Sequence, residues 1–294
     1  MLPVLAQAPL QRLHLPWLDE GGVEVAILRL DQIDPLISGN KWFKLEHHLL
    51  ALQQGGYQGL ISLGGAHSNH LHALAAVGQR MGLETVGLLR GHALSTPTVV
   101  DLQAMGMQLR WLGYGGYRQR HAAGFWEPWR ERYPTLLPVP EGGGGELGTL
   151  GCARLVEQAE AQLPGVGWSD FDGWWLAAGT GTTLAGLVLA EAGRRVVHGA
   201  MVVPAGHGVE QQVPALCGAA GYRLVDASRG GYAKVDQALL AFMLEVKAQA
   251  GVPLEPVYTA KALWALREAV VRGEFAPGSR LVFVHTGGLQ GWRG

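Results

Sequence analysis

The stretch Ser38-Gly39-Asn40-Lys41-Trp42-Phe43-Lys44-Leu45-Glu46 joins a turn to the start of a helix. Gly39 and Asn40 are turn residues, and from Lys41 onward the apolar residues recur at helical spacing. A lysine amine packed among apolar neighbours loses hydration, which lowers its pKa toward the neutral form that attacks carbonyl groups. The stretch therefore predicts that Lys41 performs chemistry and can hold an aldehyde cofactor as a Schiff base. The alternative is an exposed lysine on a first helical turn.

On either side of this stretch, short apolar strands alternate with helical patterns. This alternation predicts an α/β fold of parallel βαβ units with helices on both faces of the sheets. We expect two open parallel-sheet units, separated near the four glycines at 142–145. The predicted strands are 23–30, 59–63, 85–89, 108–112, 136–139, 174–178, 196–203, 222–226 and 280–285. The predicted helices are 41–54, 68–81, 98–105, a broken helix within 114–133, 150–163, 182–191, 209–219, 234–250 and 260–272.

The composition limits the class of protein. With 294 residues, 48% of them hydrophobic, the chain can bury a large core. Its net charge of -1 argues against nucleic acid or an anionic membrane as the main partner. Cys152 and Cys217 are too few for a disulfide framework. No apolar run approaches the ~20 residues that span a bilayer, and no signal-peptide pattern is present. These features predict a cytoplasmic protein.

A first glycine-rich turn, Gly64-Gly65-Ala66-His67-Ser68-Asn69-His70, follows a predicted strand and opens a helix. Ser68 and Asn69 would lie at the helix N-terminus, where free backbone N–H groups can hold a carboxylate. Ser68 as a simple N-cap is the alternative. No carboxylate accompanies His67, His70 and His72, and their spacing is not that of the HExxH metal motif. We therefore predict no metal site.

A second glycine-rich turn, Gly179-Thr180-Gly181-Thr182-Thr183, also lies between a strand and a helix. Its glycines let the backbone curl around a phosphate, the threonine hydroxyls add donors, and the helix dipole favours an anion. No lysine follows, as a Walker A loop would require, and the third glycine of GxGxxG is absent. The turn therefore predicts a monophosphate site, with a plain strand-to-helix turn as the alternative.

The end of the last strand, 284–288, is also glycine-rich, and 256–261 precedes a helix with Thr259 as the predicted N-cap. Together these segments resemble the pyridoxal-phosphate family of 1-aminocyclopropane-1-carboxylate deaminase and D-cysteine desulfhydrase, which has the tryptophan-synthase-β type of fold. The resemblance runs in the same order along nearly the whole chain. Its motifs are Gly39-Asn40-Lys41, Lys44-Leu45-Glu46, Gly64-Gly65, Ser68-Asn69-His70, Pro140 with Gly142-Gly143, Leu147-Gly148, Gly179-Thr180-Gly181, Pro256-Val257-Tyr258 and His285-Thr286-Gly287-Gly288.

The resemblance implies roles for these residues. Lys41 would be the Schiff-base lysine of pyridoxal 5'-phosphate, and Asn69 would contact the ring oxygen of the cofactor. Residues 179–183 would bind its phosphate. Ser68 would lie at the substrate carboxylate and reactive carbon, with Tyr232 and Tyr258 on the substrate side. The resemblance also implies a small domain of residues 44–138, a large domain of residues 1–43 and 139–294, and a homodimer.

Thr259 distinguishes members of the family. Its position would face the pyridine nitrogen, where the cyclopropane-opening deaminases resemble one another in carrying glutamate and desulfhydrase-like members carry threonine. A hydroxyl there leaves the ring less electron-poor than a carboxylate does, which suits elimination of a good leaving group. We therefore expect β-elimination from a small amino acid such as D-cysteine, giving pyruvate, ammonia and sulfide.

Several positions depart from the family pattern. Phe43 and His72 each stand where the family usually has arginine, and Ala66-His67 replaces an apolar-glutamine pair. The alternatives are a 1-aminocyclopropane-1-carboxylate deaminase giving 2-oxobutanoate, a serine or threonine dehydratase with the same cofactor, and a non-catalytic metabolite-binding relative.

Overall fold

The computed structural model describes residues 2–37 and 39–292, so Ser38 of the predicted turn lies outside the described residues. Strands and helices alternate along the chain. The strands are β1 (Leu10–Leu13), β2 (Glu24–Arg29), β3 (Gly59–Gly64), β4 (Glu84–Leu89), β5 (Gln108–Trp111), β6 (Leu136–Pro138), β7 (Gly173–Ala178), β8 (Val196–Met201), β9 (Tyr222–Asp226) and β10 (Arg280–His285). The α-helices are α1 (Pro16–Glu20), α2 (Asn40–Gly55), α3 (Asn69–Met81), α4 (Pro97–Ala104), α5 (Gly113–Arg118), α6 (Glu127–Arg132), α7 (Gly145–Cys152), α8 (Arg154–Glu160), α9 (Thr182–Glu191), α10 (Val209–Cys217), α11 (Gln237–Ala250) and α12 (Thr259–Val271).

A six-stranded sheet has the order β1-β2-β10-β7-β8-β9, and the domain built on it is called here the six-stranded domain. Its strands pair in parallel except for β1, which runs antiparallel to β2 at one edge. The central strand β7 is buried along its whole length, with Trp174 and Trp175 fully inaccessible on opposite faces. Burial on both faces explains why β7 and β10 are continuous apolar runs.

A four-stranded sheet has the order β5-β4-β3-β6 and is parallel throughout, and it forms the four-stranded domain. The structure thus confirms the predicted α/β class with two open, mainly parallel sheets. The sheet strands of the second domain all come from residues 59–138. The boundaries at residues 43/44 and 138/139 remain a prediction.

The start of α2 is fixed against the loop that follows β10. Gly39 has a φ of 77°, and a Cβ at this position would collide with the carbonyl oxygen of Thr286. The Asn40 amide donates a hydrogen bond to the same carbonyl at 3.2 Å. The glycine therefore allows the close approach that holds the first turn of α2 beside the end of the last strand.

Three segments differ from the prediction. The region before residue 23, where no strand or helix is predicted, contains β1 and α1. The predicted helix 150–163 is two helices, α7 and α8, and α7 already begins within the glycine run. Within α7, Gly151 packs directly on the Phe43 carbonyl of α2, where a Cβ would collide. Helix α11 begins only at Gln237, because the Asp236 side chain accepts from the Leu239 amide and caps it there.

Candidate active site

Lys41 is the second residue of α2, and its partly buried side chain lies among Lys44, Cys152 and Glu141. Burial lowers the pKa of Lys41 well below its ordinary value, and the neighbouring Lys44 ammonium lowers it further. Cys152 and Glu141 oppose this shift less strongly. The site therefore favours the neutral amine of Lys41, which is the nucleophilic form.

Lys44 lies one helical turn after Lys41 and is only 3% exposed. Its Nζ is 3.4 Å from the Thr180 hydroxyl. Burial lowers the pKa of Lys44, and in the part of the chain that the structure describes no carboxylate forms an ion pair with it. A buried ammonium without a counter-charge is costly. An anion beside Thr180 would remove that cost.

The second glycine-rich turn lies at this lysine and begins α9. Gly181 adopts the left-handed conformation at the N-cap, with a φ of 75°. The hydroxyls of Thr180 and Thr182 are 3.1 Å apart, and Asn40 Nδ2 donates to the Thr183 hydroxyl at 2.8 Å. Hydroxyls, backbone N–H groups at a helix start and one ammonium are the donors that phosphate binds. This donor set fits a phosphate monoester.

Ser68 and Asn69 lie where the four-stranded domain meets the C-terminal segment. Ser68 is the N-cap of α3 and accepts from the Leu71 amide at 3.2 Å. Asn69 Oδ1 accepts from Gln290 Nε2 at 3.1 Å. The backbone of Gly288 lies against the Asn69 amide. The first glycine-rich turn therefore contacts the segment that follows β10.

Tyr232 and Tyr258 form a hydroxyl pair, with their oxygens 2.9 Å apart and their rings edge to face. The Tyr258 ring also lies beside Gly179 of the second glycine-rich turn. Burial raises the pKa of Tyr258 well above its ordinary value, and Tyr232 adds to the shift. Its phenol thus keeps its proton across the neutral pH range.

Thr259 is the first residue of α12 and not its N-cap, so the predicted cap is wrong. The N-cap is Tyr258, and the cap is made from further upstream by Glu255. The Glu255 carboxylate accepts from the amides of Val257 at 2.8 Å, Tyr258 at 2.7 Å and Thr259 at 2.6 Å. The fully buried Thr259 hydroxyl accepts from the Glu255 amide at 2.9 Å and lies 3.2 Å from the same carboxylate.

The three histidines of the first turn and α3 serve different contacts. His70 Nε2 is 2.8 Å from the Ser62 hydroxyl, His72 Nε2 is 3.2 Å from Asp101, and His67 is exposed. Within residues 2–37 and 39–292, no three His, Cys, Asp or Glu side chains are grouped so that they could hold a metal ion.

Sequence reasoning missed three charged residues around the site. Lys44 entered only as part of a motif, although its spacing from Lys41 places both on one helix face. Glu141 belongs to the segment between the two domains, where Tyr117 donates to it and Arg120 pairs with it at 2.6 Å. The sequence does not single out Glu255, because the burial of an acidic residue three positions before Tyr258 is known only from the structure.

A cavity of about 270 Å³ adjoins the second glycine-rich turn. Thr180 and Thr182 line it from the six-stranded domain, and Arg120 and Trp126 line it from the four-stranded domain. The second glycine-rich turn therefore lies at the junction of the two domains, a common location for small-molecule sites.

Comparison with known proteins decides the family. The family model described as pyridoxal-phosphate dependent enzyme matches residues 2–287. The chain belongs to this family. Its cofactor is pyridoxal 5'-phosphate, which confirms the predicted cofactor.

Relatives identify the branch of the family. The chain is 30% identical to a putative 1-aminocyclopropane-1-carboxylate deaminase of Pyrococcus horikoshii, over 97% of this chain and 90% of that relative. It is 29% identical to a bifunctional D-cysteine desulfhydrase/1-aminocyclopropane-1-carboxylate deaminase of Arabidopsis thaliana, over 96% of this chain and 76% of that relative.

A crystal structure of an ACC deaminase homologue superimposes with a TM-score of 0.83 at 29% identity, covering 97% of this chain and 90% of that chain. A threonine deaminase of Solanum lycopersicum, at 16% identity and a TM-score of 0.68, shares the fold. The predicted membership of the deaminase and desulfhydrase family is confirmed, and the protein is a pyridoxal-phosphate-dependent enzyme.

Proposed function

We propose that the protein is a deaminating lyase that eliminates sulfide from D-cysteine. The α-proton and the C–S bond of the substrate are lost, one water is consumed, and pyruvate, ammonia and sulfide are released. The observation that carries this choice of substrate is the hydroxyl of Thr259 at the start of α12. The resemblance places this hydroxyl opposite the pyridine nitrogen, where the cyclopropane-opening deaminases resemble one another in carrying a carboxylate.

The contacts of Glu255 support this assignment. The carboxylate nearest to Thr259 belongs to Glu255, and it accepts three backbone hydrogen bonds at the start of α12. These three hydrogen bonds cap the helix. The same carboxylate also lies 3.2 Å from the Thr259 hydroxyl. A hydroxyl in this place favours departure of a good leaving group over opening of a carbon ring.

Residues from three segments would hold the aldehyde carbon, the ring oxygen and the phosphate of the cofactor. Lys41 would bind its aldehyde carbon covalently, and Asn69 would contact the ring oxygen. Its phosphate would lie within residues 179–183, with Gly179, Thr180, Gly181, Thr182 and Thr183 as its nearest contacts. We add Lys44 to this group because its buried ammonium lies beside Thr180 without a carboxylate partner. When bound, the cofactor withdraws electrons from the substrate carbon.

The side chains predicted to surround the substrate can accept its α-proton, bind its carboxylate and donate a hydrogen bond. The lowered pKa of Lys41 keeps its amine able to accept the α-proton. Ser68 and the free N–H groups at the start of α3 would hold the substrate carboxylate. The raised pKa of Tyr258 keeps its phenol protonated, so Tyr258, joined to Tyr232, can donate a hydrogen bond on the substrate side.

The test compares two substrates on the purified holoenzyme. Pyruvate release from D-cysteine and 2-oxobutanoate release from 1-aminocyclopropane-1-carboxylate are measured with the visible spectrum of the bound cofactor. We expect turnover of D-cysteine and little opening of the cyclopropane. The Thr259→Glu variant should shift the ratio toward ring opening, and Lys41→Ala should abolish both reactions. Equal rates on both compounds in the wild-type protein would refute the role given to Thr259.

The second candidate is a 1-aminocyclopropane-1-carboxylate deaminase, which the name of the Pyrococcus relative favours, whereas the name of the Arabidopsis relative contains both activities. The same assay separates the two, since each substrate yields a different keto acid. A protein that binds the cofactor but turns over neither compound would support the non-catalytic alternative.

We also propose a cytoplasmic homodimer. The homodimer rests on the resemblance, and the reducing compartment rests on Cys152 and Cys217, which are both free thiols. Light scattering on the eluted holoenzyme measures the oligomeric state. Across the residues that the structure describes, no helix has the length and apolar character needed to cross a bilayer.

A further inference from the structure

Lys261 is the third residue of α12 and is completely buried. Its Nζ donates to the carbonyl oxygens of Ser228 and Gly231, each at 2.8 Å. No carboxylate of residues 2–37 and 39–292 forms an ion pair with this ammonium; it is bound by backbone carbonyls instead. A buried charge satisfied in this way fixes the position of the backbone that supplies the oxygens.

The backbone that Lys261 holds is strained. Arg229 and Ala233 adopt left-handed φ angles of 49° and 57°, which side-chain-bearing residues rarely do. Gly230 and Gly231 between them also have positive φ angles, of 78° and 154°. Such conformations persist only where surrounding contacts impose them. The ammonium supplies two of those contacts in the interior of the loop.

The loop carries Tyr232, and α12, the helix that contains Lys261, begins directly after Tyr258. Tyr232 comes directly after the Gly231 carbonyl, and Tyr258 is the N-cap of α12. Lys261 therefore connects the two backbone segments whose side chains meet at 2.9 Å. Tyr232 is 50% exposed, so its own packing fixes it weakly.

We propose that Lys261 is a positioning residue, which holds the loop 228–233 on α12 and thereby places the Tyr232 hydroxyl against Tyr258 on the substrate side. This inference rests on the proposed function for its kinetic consequence. The anchoring of the loop by the Lys261 ammonium does not depend on the identity of the substrate.

A truncated lysine can be complemented by a free amine. Lys261→Ala removes three methylenes and the amine, which n-propylammonium matches. A cavity of about 330 Å³ gives such a cation an entrance, and the charged residues that line it beside Lys261 are Asp226, Arg229, Asp236 and Glu268. In the holoenzyme, Lys261→Ala should lower kcat by up to about 10²-fold, the effect of a misplaced catalytic group. Millimolar n-propylammonium should restore much of it, whereas n-propanol should not.

Lys247→Ala is the matched control, because Lys247 is an exposed lysine on α11. It should retain wild-type kcat and show no response to the amine. In a Tyr232→Phe background, Lys261→Ala should cause little further loss of kcat, since both changes remove the same placed hydroxyl. Additive losses in the double variant would overturn the positioning role.

Hydrogen exchange gives a readout that does not depend on turnover. Lys261→Ala should speed amide exchange in a peptide covering 228–234, and n-propylammonium should slow it again, with the peptides of α11 unchanged. Unchanged exchange in that loop would refute the inference even if activity fell. Lack of turnover by the wild-type protein would count against the proposed function, while the exchange result would still decide whether Lys261 anchors the loop.

Discussion

Two lysines on one turn of α2 differ in the contacts that surround them. Lys41 lies beside Lys44, so the positive charge of one raises the cost of charging the other. Lys44 is the more buried of the two and lies beside Thr180, where the phosphate donors converge. We therefore propose that the two lysines have different roles, in which Lys44 binds an anion as a cation and Lys41 reacts as a neutral amine.

Replacing Lys44 by methionine tests this division. The methionine keeps the apolar stem but removes the charge, so we expect Lys44→Met to weaken cofactor affinity while Lys41 still forms its covalent link. A hydrogen bond to a charged group contributes about 1.5–3 kcal/mol, which corresponds to roughly ten- to hundredfold in affinity. Titration of the apoprotein with pyridoxal phosphate, followed by absorbance, measures the change.

The matched control is Lys247→Met on the exposed face of α11, which should bind the cofactor as the wild type does. Mass spectrometry after borohydride reduction should find the modified residue at Lys41 in both variants. Unaltered affinity in Lys44→Met would show that Lys44 does not contact the phosphate.

At the scale of elements, β8 carries a buried imidazole in an aromatic environment. His198 pairs across the sheet with Trp175 of β7, and their rings stack 5.3 Å apart. Phe275 packs edge to face on the same imidazole. Burial lowers the pKa of His198 from 6.5 to about 4, and the charge of Arg223 adds to the shift. The environment of the strand therefore favours the neutral ring of His198.

The pH dependence of stability follows from this shift. Between pH 6.5 and about 4 the unfolded chain binds a proton at His198 and the native protein does not. The free energy of unfolding should therefore fall as the pH falls through this range, by about 2–3 kcal/mol from this residue. Urea denaturation across the range measures the slope, and His198→Phe should show a shallower one.

His14 is exposed, and His14→Phe is the control substitution. His48, His70 and His285 also have pKa values lowered by burial, so the wild-type slope contains their contributions as well. Only the difference between wild type and His198→Phe isolates one proton. Identical slopes would mean that the native protein accepts a proton at His198 as readily as the unfolded chain does.

Elements whose residues are buried on both faces could be predicted from the sequence, because their apolar runs are continuous and end at glycine. β7 and β10 are of this kind. β1 could not, because it is a four-residue edge strand with Gln11 and Arg12 at its centre. It is a strand because it pairs with β2, and that partner is invisible in a local pattern.

The same distinction applies to the candidate site. Glycine-rich turns are visible in the sequence because the backbone there needs glycine, and the turns at 64–70 and 179–183 were located in this way. Glu255 and Lys261 were not, because their partners are backbone groups rather than a residue pattern. A buried carboxylate that caps α12 and a buried ammonium that holds a loop can be recognised only from tertiary contacts.

At the scale of the whole molecule, the site is assembled from distant parts of the chain. The start of α2, the first turn of α3, the second glycine-rich turn and the loop after β10 all contribute. Glu141 joins the segment between the domains to Tyr117 and Arg120 of the four-stranded domain. Asn69 joins that domain to Gln290. A ligand that binds only this assembled arrangement stabilises the whole fold.

Removal of the cofactor should therefore lower the melting temperature of the entire protein. A ligand present at a hundred times its Kd contributes about 2.7 kcal/mol to the unfolding free energy.

Inorganic phosphate should restore part of that loss in the apoprotein, because the buried Lys44 ammonium and the threonine hydroxyls then regain an anion. The apo form of Lys44→Met should gain much less from phosphate, because the buried charge that requires the anion is absent. Differential scanning calorimetry of the apo and holo forms, with phosphate or chloride at equal ionic strength, measures both effects. An equal gain from phosphate in the two apoproteins would place the anion away from Lys44, and an unchanged melting temperature on cofactor removal would mean that the cofactor does not couple the two domains.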